Sequence, residues 1–533
     1  MPSDLIRLTA REAVRRLAAR EISPLELIDA AAARIALCEP AINALPTLCL
    51  DRARDHARRL MRGEGREASG EPGWLGGLPI AIKDVNDVAG VRTTYGSPIF
   101  RDHVPAASHP VVERIERKGG IVVAKSNTPE FASGGSTFNE VFGRTCNPWN
   151  TALTPGGSTG GGAAALASGE VWLAHGSDHA GSLRRPASYC SVVGLRPSPG
   201  RVTRGTSNNL YAPLSVQGPM ARNIGDLALF LDSMAGFCPR DPQTFDAPGR
   251  SFLSAVEAPV TPRRVAYTDD FGGAFPVDRE TRDICRASLR HFEAMGAKVE
   301  EAFPDPGRIA EAFLVLRAQS YVVDRELMIE QHRALFKADI IWNTEEGLRA
   351  TPSRIAWAER ERAAFYRRVA AFYETYDVLV LPGASTPAFD VTRRMPAKID
   401  GEPLDNYLGG SLVTAIPTLM GVPSLVLPCG FDQFGRPVGL QMVGPPRGEA
   451  PLLAAAALLE TACGLAGLVP IEPKLGMVPD GARTAPCFAR RIGAVTKKPA
   501  PRSGPAFMWP ARIALRPAAL IQPRIGGTSG LTR

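Results

Sequence analysis

Residues 78–83 read Leu78-Pro79-Ile80-Ala81-Ile82-Lys83, a short apolar run that ends in a lysine. Residues 121–125 read Ile121-Val122-Val123-Ala124-Lys125 and repeat this pattern after a helical segment near residues 108–118. Short apolar runs of this kind predict buried strands. Strand and helix therefore alternate along the chain, which predicts an α/β fold whose sheet is covered by helices.

The alternation continues beyond residue 200. The pattern predicts helices over residues 224–236, 279–295, 308–336, 352–374 and 449–463, and strands over 264–268, 378–382, 424–428 and 437–443. Two capping-box patterns, Thr9 with Glu12 and Ser23 with Glu26, predict two helices in the first forty residues, the second with Pro24 at its first position. Residues 61–77 are rich in glycine and charge and predict a surface loop.

The chain divides by composition near residue 480. No internal repeat and no linker rich in Pro, Gly or Ser interrupts residues 1–475, which predicts one large α/β domain. Residues 481–533 hold ten Lys or Arg, seven Pro and no Asp or Glu. We therefore expect a domain over residues 1–480 and a basic, disordered tail over residues 481–533.

Charge and hydropathy exclude several classes of protein. The net charge is +8, but without the tail 52 basic residues face 54 acidic ones, so the body lacks the basic surface of a nucleic-acid-binding domain. No apolar run approaches the roughly 18 residues of a membrane helix. Charged residues near the N-terminus, including Asp4, Arg7 and Arg11, do not fit a secretory signal. We expect a cytoplasmic protein with no nucleic-acid partner and no membrane association.

The cysteines indicate neither a disulfide-bonded fold nor a zinc-binding one. The nine cysteines are scattered, odd in number and include no CxxC pair. This usage is typical of reduced thiols in a cytosolic protein.

A glycine-rich stretch is the most unusual part of the chain. It reads TPGGSTGGG over residues 154–162 and leads into an alanine-rich segment that ends at Gly169. A phosphate-binding loop would need a GK[ST] ending, which is missing. A GxSxG nucleophile elbow centred on Ser158 does match, and so does a plain tight turn between strand and helix.

A second serine, Ser182, lies 24 residues further on in the sequence HGSDHAGSLR, residues 175–184. A single loop serine is most often without function. His175, Asp178 and His179 could instead suggest a metal site, because histidines four residues apart share one face of a helix. The glycines at 176 and 181 argue against a helix, and no further ligand cluster is evident, so we predict neither a metal nor a cofactor.

Lysines at strand ends are the third chemical feature. Lys83 follows five apolar residues, and burial of an ammonium group lowers its pKa, which makes a neutral lysine available as a base. Lys125 has the same context. Spacing alone does not choose between them, and a lysine with its stem on an apolar surface and its head in water is the ordinary alternative.

Several blocks, in this order and spacing, resemble the amidase signature family. They are GLPIAIKD at 77–84, KSNTPEF at 125–131, FGRTCNPW at 142–149, PGGSTGG at 155–161, GSD and GSLR at 176–178 and 181–184, GLRP at 194–197, and GRPVGLQMVG at 435–444. The resemblance covers roughly residues 5–475 and implies a single large domain whose core is a mixed, twisted β-sheet covered by helices. Several matching blocks are far more specific than any one of them.

The resemblance implies a Ser–cis-Ser–Lys triad. Ser182 would be the acylated nucleophile, Ser158 the bridging serine on a cis peptide, and Lys83 the base. This implication chooses Lys83 over Lys125 and makes Ser158 a proton relay. The predicted activity is hydrolysis of a small-molecule carboxylic amide to an acid and ammonia or an amine, through an acyl-enzyme.

The resemblance also implies which residues surround the triad. Ala132 would line the site near Ser158, and the backbone of the turn His179, Ala180, Gly181 and Ser182 would bind the oxyanion. Asp178 and Arg184 would hold the nucleophile loop by a charge-assisted hydrogen bond. Three positions depart from the common family pattern: His179, Ala180 and Thr159, the last of which stands where a second serine is common.

Other functions stay open at this point. The glutamine-hydrolysing A subunit of a tRNA-dependent amidotransferase shares these motifs but would need partner subunits, whereas an enzyme that acts alone is compatible with a homodimer. An α/β-hydrolase esterase using Ser158 would need a later histidine, for which His291 and His332 are the distant candidates. A non-enzymatic role in nucleic-acid binding would reside in the tail.

Overall fold

A long mixed β-sheet organises the protein, whose computed structural model describes residues 2–205, 207–404 and 408–476. The strands are β1 (Thr47–Leu48), β2 (Pro79–Lys83), β3 (Ile121–Ser126), β4 (Phe138–Asn139), β5 (Gly143–Arg144), β6 (Leu173–Asp178), β7 (Val193–Arg196), β8 (Val216–Ala221), β9 (Arg264–Tyr267), β10 (Lys298–Glu301), β11 (Val378–Pro382), β12 (Lys398–Ile399), β13 (Glu402–Pro403), β14 (Ser424–Phe431) and β15 (Pro437–Val443). Within these described ranges, eleven strands form the main sheet in the order β1-β3-β2-β6-β8-β7-β14-β15-β11-β9-β10.

Helices cover this sheet. They are α1 (Pro2–Leu5), α2 (Ala10–Ala18), α3 (Pro24–Ile42), α4 (Leu50–Met61), α5 (Pro110–Arg117), α6 (Gly160–Ser168), α7 (Arg184–Cys190), α8 (Ile224–Met234), α9 (Phe252–Glu257), α10 (Arg279–Ser288), α11 (Arg290–Ala294), α12 (Ile309–His332), α13 (Ala338–Arg349), α14 (Pro352–Phe372), α15 (Leu412–Leu419) and α16 (Glu449–Cys463). The predicted mixed α/β fold is confirmed.

Parallel pairing places the ends of two strands side by side. Strand β2 pairs in parallel with β3 on one side and with β6 on the other. Lys83 is the last residue of β2 and Asp178 the last of β6, so both lie at the carboxyl edge of this part of the sheet. Ligands bind preferentially at that edge in α/β sheets.

Helix α6 starts at the glycine-rich stretch and is buried along its whole length. A Cβ atom at Gly161 would lie 2.4 Å from the Asn127 nitrogen and 2.6 Å from the Ala44 oxygen. Only glycine permits this close approach of two backbone segments. The glycine at 161 therefore allows the start of α6 to pack closely against the loop that follows β3.

Several predicted elements agree with the structure closely. Both N-terminal caps form, with Thr9 accepting from the Glu12 N–H and with the complete capping box of Ser23 and Glu26. The strands over 378–382 and 437–443 and the helix over 449–463 have the predicted bounds. Each of these elements combines a clear apolar pattern or cap with turn residues at its ends.

Other elements differ from the prediction. The helix expected over 279–295 is broken at Leu289 into α10 and α11, and the helix expected over 308–336 ends at His332. Strand β6 replaces the helix that a metal site at His175 and His179 would need. Within the described residues, no cluster of three or more His, Cys, Asp or Glu is arranged to hold a metal ion.

Some expectations concern parts of the chain outside the described residues. The predicted disordered tail over 481–533 lies there, as does Cys487. The cysteines inside the described ranges are free thiols. None of the helices in residues 2–205, 207–404 and 408–476 has the length and hydropathy that a membrane span requires.

Candidate active site

A cleft opens at the carboxyl edge of β2 and β6. It encloses about 540 Å³, counting its open mouth. Ser158 and Ser182 lie at its floor, and helix α12 forms one long side. The lining side chains are Phe131, Ala132, Ser158, Ser177, Asp178, His179, Ser182, Ser215, Arg317, Ser320, Tyr321, Asp324 and Arg325. The cleft thus brings together both serines singled out in the sequence.

Lys83 reaches Ser158 from within the protein. Its Nζ lies 2.6 Å from Ser158 Oγ, 3.0 Å from Thr159 Oγ1 and 3.0 Å from Ser177 Oγ. An ammonium group can donate to all three hydroxyls, and a neutral amine can donate to two and accept from the third. The three hydroxyls therefore suit both protonation states.

The surroundings of Lys83 favour the neutral state. The side chain is fully buried, and this burial lowers the pKa of Lys83 to about 7, while the nearby Asp178 carboxylate opposes the shift. The neutral amine is therefore accessible near neutral pH. A neutral amine within hydrogen-bonding distance of a serine hydroxyl is able to act as a general base.

Lys125 has a different environment, although it is equally buried. Its Nζ donates to the Asn86 carbonyl at 2.7 Å and to Thr93 Oγ1 at 2.6 Å, and it lies 3.3 Å from the Asp84 carboxylate. Asp84 thus pairs with Lys125 and not with its neighbour Lys83. The geometry gives Lys125 a structural ion pair with no contact to either serine.

Ser158 lies in the connection that leads into α6. The Gly157–Ser158 peptide is cis, as the family resemblance implies. The next residue, Thr159, is fully buried, and its N–H donates to the Ser182 carbonyl at 3.1 Å. This hydrogen bond ties the two serine segments together.

A buried ion pair holds the loop that carries Ser182. The Asp178 carboxylate accepts from Arg184 Nε at 3.0 Å and Nη2 at 2.9 Å, and from the N–H groups of Gly181 at 2.8 Å and Leu183 at 3.1 Å. Burial would raise the pKa of Asp178, but the Arg184 and Arg196 guanidinium groups outweigh it and hold this pKa below its usual range. The carboxylate is therefore a fixed anchor for the turn.

Gly181 is required by its position in this turn. Its φ is +99°, and a Cβ there would lie 2.3 Å from Thr414 Oγ1. Thr414 Oγ1 in turn donates to the Ala180 carbonyl at 2.7 Å. Helix α15 thus packs directly against the turn and limits its conformation.

The turn contains backbone donors without a protein acceptor, and its residues His179 and Ser182 line the cleft. Within the described residues, the N–H groups of His179, Ala180 and Ser182 donate to no protein acceptor. The Gly181 N–H, by contrast, is already bonded to Asp178. Three of the four N–H groups expected to bind an oxyanion are therefore available.

Ala132 and His179 complete the predicted set. Ala132 lines the cleft in a left-handed conformation, with φ at +58°, next to Phe131 at +47°. The His179 Nδ1 lies 2.8 Å from Ser215 Oγ, and its Nε2 is buried with no partner among the described residues. Burial and the nearby Arg317 lower the pKa of His179 well below its usual value, so its ring is neutral.

Ser177 and the wall formed by α12 were not predicted. Ser177 contacts Lys83, but that contact depends on the pairing of β2 with β6, which the sequence pattern did not indicate. Arg317 and Arg325 lie more than 130 positions after Ser182. No local motif marks them, so only the folded chain brings them to the site.

Removing Arg184 is expected to destabilise the protein. In Arg184→Met the buried Asp178 carboxylate loses its principal partner, and breaking a buried pair from one side costs about 3–5 kcal/mol. Chemical denaturation should reveal this loss of unfolding free energy. The matched control is Arg279→Met, which removes an exposed partner of Asp283 and should cost less than about 1 kcal/mol. Equal effects of the two substitutions would contradict the anchoring role.

The chain is similar to known amide hydrolases along most of its length. The Amidase family model matches residues 26–453. An acylamidase of Rhodococcus erythropolis is 33% identical over 455 residues, which cover 85% of this chain and 95% of the relative. The glutamyl-tRNA(Gln) amidotransferase A subunit of Synechococcus sp. (strain CC9605) is 34% identical over 492 residues, covering 87% of this chain and 98% of the relative.

Solved structures agree with this similarity. A bacterial aryl acylamidase of the amidase signature family superposes with a TM-score of 0.79 at 26% identity, covering 87% of this chain and 99% of the other. A 6-aminohexanoate cyclic dimer hydrolase in complex with substrate has a TM-score of 0.77, also at 26% identity, covering 87% and 99%. The protein therefore belongs to the amidase signature family and is an enzyme that hydrolyses amide C–N bonds.

Proposed function

We propose that the protein is an amidase that acts alone and hydrolyses a small-molecule carboxylic amide through an acyl-enzyme on Ser182. The observation that carries this proposal is the 2.6 Å approach of the buried Lys83 Nζ to Ser158 Oγ at the floor of the cleft. A lysine with a pKa of about 7 can remove a proton near neutral pH without help from a histidine.

Proton transfer through Ser158 would activate the nucleophile. Neutral Lys83 takes the Ser158 hydroxyl proton as Ser158 takes the proton of Ser182, and Ser182 Oγ forms a bond to the amide carbonyl carbon. The tetrahedral intermediate then breaks its C–N bond, and the leaving nitrogen receives the proton back through the same relay. Water repeats the sequence on the ester, releasing the acid and restoring Ser182.

The free N–H groups of the turn would stabilise the oxyanion. We assign this role to the backbone of His179, Ala180 and Ser182, since the Gly181 N–H serves to hold the loop. Removing one such donor typically costs about 3–4 kcal/mol of transition-state stabilisation. Thr159 and Ser177 would keep Lys83 directed at Ser158, and Ala132 would bound the site beside that serine.

We assign the whole reaction to residues 1–480 and no part of it to the basic tail. The site contacts described above lie between residues 83 and 414, and the family model ends at residue 453. An assay of the full chain against a panel of amides, with detection of released ammonia, tests the activity. Release of ammonia from no amide in the panel would contradict the proposal.

The second candidate is the glutamine-hydrolysing component of a tRNA-dependent amidotransferase. It is favoured by the 34% identity over nearly the whole length of such a relative. Co-purification from the native host distinguishes the two functions. An active monomer or homodimer supports the lone amidase, whereas activity on glutamine only in a complex with other proteins supports the alternative.

Histidine substitutions separate the lysine mechanism from the esterase alternative. We expect His291→Ala and His332→Ala, tested singly, to keep kcat/KM within about threefold of the wild type, because a lysine serves as the base. In the part of the chain that the structure describes, neither His291 nor His332 lines the cleft, and His332 is exposed. A loss of three or more orders of magnitude in either folded variant would contradict the lysine mechanism.

A further inference from the structure

Helix α12 gives the cleft a charged wall opposite the two serines. Five of the lining residues belong to it: Arg317, Ser320, Tyr321, Asp324 and Arg325. Among the described residues that line the cleft, only Phe131 and Ala132 have wholly apolar side chains. A cleft made for an aryl or alkyl amide alone would be lined chiefly by apolar groups. This lining instead suits a substrate with a polar, charged substituent.

Arg325 lines the cleft and stacks on an aromatic ring. Its guanidinium lies 4.4 Å from the centroid of the Phe131 ring, and its Nη1 donates to the Asp324 carbonyl at 2.8 Å. The Asp324 and Glu130 carboxylates act on this guanidinium electrostatically, but neither makes an ion-pair contact with it within the described part of the chain. A guanidinium that is partly withdrawn from water and held in place by a ring is pre-organised to bind a carboxylate.

Arg317 adds a second positive charge along the same wall. Its Nη2 donates to the Tyr321 hydroxyl at 2.7 Å, and that hydroxyl donates to Ser133 Oγ at 2.8 Å. Eight helical positions separate Arg317 from Arg325, about 12 Å along the helix axis. Arg317 therefore lies toward His179 and the nucleophile turn, and Arg325 lies toward Phe131, so positive charge extends along the cleft.

The acidic groups of the cleft do not cancel this charge. Asp178 is engaged by Arg184 and Arg196. Among the described residues, Asp324 is the other acid that lines the cleft, and Arg317 and Arg325 together set two positive charges against its single carboxylate. His179 is uncharged and offers a buried Nε2 that can bond to a substrate polar group.

We infer that the substrate is an amide that carries a carboxylate, and that Arg325 binds this carboxylate directly while Arg317 supplies a supporting positive charge. The inference rests on the proposed amide hydrolysis and narrows it to one substrate class. A carboxylate held by a half-buried guanidinium through charge-assisted hydrogen bonds should improve kcat/KM about ten- to hundredfold over a neutral group of similar size.

Matched pairs of amides test the inference in the wild-type protein. Succinamic, glutaramic and adipamic acids are compared with butanamide, pentanamide and hexanamide, which carry a methyl group in place of the carboxyl. We expect at least one acid to exceed its neutral partner in kcat/KM by about tenfold or more. If every neutral amide is hydrolysed as fast as its acid, the inference is wrong, although the proposed function stands.

Variants of α12 test the assignment to Arg325. In Arg325→Gln the ratio of kcat/KM for acid over neutral amide should fall at least about tenfold, and Arg325→Lys should restore part of it. The matched control is Arg333→Gln, because Arg333 follows the same helix but is exposed and paired with Glu345. This control should leave the ratio unchanged. A fall in Arg317→Gln without a fall in Arg325→Gln would overturn the assignment to Arg325.

Binding to an inactive variant separates this inference from the proposed function. Calorimetry of Ser182→Ala should show tighter binding of the preferred acid than of its neutral partner, by a factor of about ten or more. Such selective binding without turnover by the wild type would refute the proposed hydrolysis and retain the carboxylate site. Equal binding of the two amides would refute the carboxylate site.

Discussion

Ser182→Ala should reduce kcat/KM for every amide substrate by at least about 10³-fold, because it removes the proposed nucleophile and leaves only the binding and oxyanion groups. The fold should survive. Ser182 is half-buried in a turn held by Asp178 and Arg184, and its hydroxyl fills no part of the apolar core. We therefore expect the unfolding free energy to change by no more than about 1 kcal/mol. Steady-state kinetics and chemical denaturation measure the two quantities.

Two further measurements sharpen this expectation. Ser69→Ala is the matched control, because Ser69 lies exposed in the loop after α4, and it should retain wild-type turnover. Mass spectrometry after treatment with a fluorophosphonate should locate the adduct on Ser182. Near wild-type turnover of Ser182→Ala would refute the nucleophile assignment, and an adduct on Ser158 would favour the esterase alternative.

The fold was predictable where the apolar pattern is clean. Strands β11 and β15 and helix α16 combine an uninterrupted pattern with turn residues at both ends. Strand β6 was missed because its sequence, LAHGSD, mixes a glycine with polar residues that face the site. Helix α4 was missed because its sequence is dominated by arginine and begins without a side-chain cap. In both cases tertiary packing outweighs local preference.

The site was predictable only in part. Motifs near Lys83, Ser158 and Ser182 are local in sequence, and the family resemblance connects them from the sequence alone. Choosing Lys83 over Lys125 from the residues themselves was not possible, since both end apolar strands. The choice follows from a difference of partners, three hydroxyls for one lysine and the Asp84 carboxylate for the other. Specificity residues on α12 have no such motif and depend entirely on long-range packing.

The pH dependence of the reaction should report the protonation of Lys83. Burial lowers the pKa of this lysine to about 7, and only its neutral form can accept a proton from Ser158. Below pH 7 the ammonium form dominates, so kcat/KM should fall about tenfold for each pH unit. Above pH 7 the neutral form dominates, and kcat/KM should level off. A pH–rate profile of the wild type between pH 5 and pH 9 measures this rise in kcat/KM, which we call the acidic limb.

Substitution of the two buried lysines decides which of them produces the limb. Lys83→Ala should lose at least about 10³-fold in activity and with it the dependence on pH near 7, because no base remains beside Ser158. Lys125→Ala should keep the limb in its folded fraction but lose about 3–5 kcal/mol of stability, since Asp84 is left buried without its partner. The double variant Asp84→Asn with Lys125→Met removes both charges and should recover part of that stability while the limb persists. If the limb instead vanished with Lys125 and persisted without Lys83, Lys125 would be the base, and the 2.6 Å contact between Lys83 and Ser158 would have no role in proton transfer.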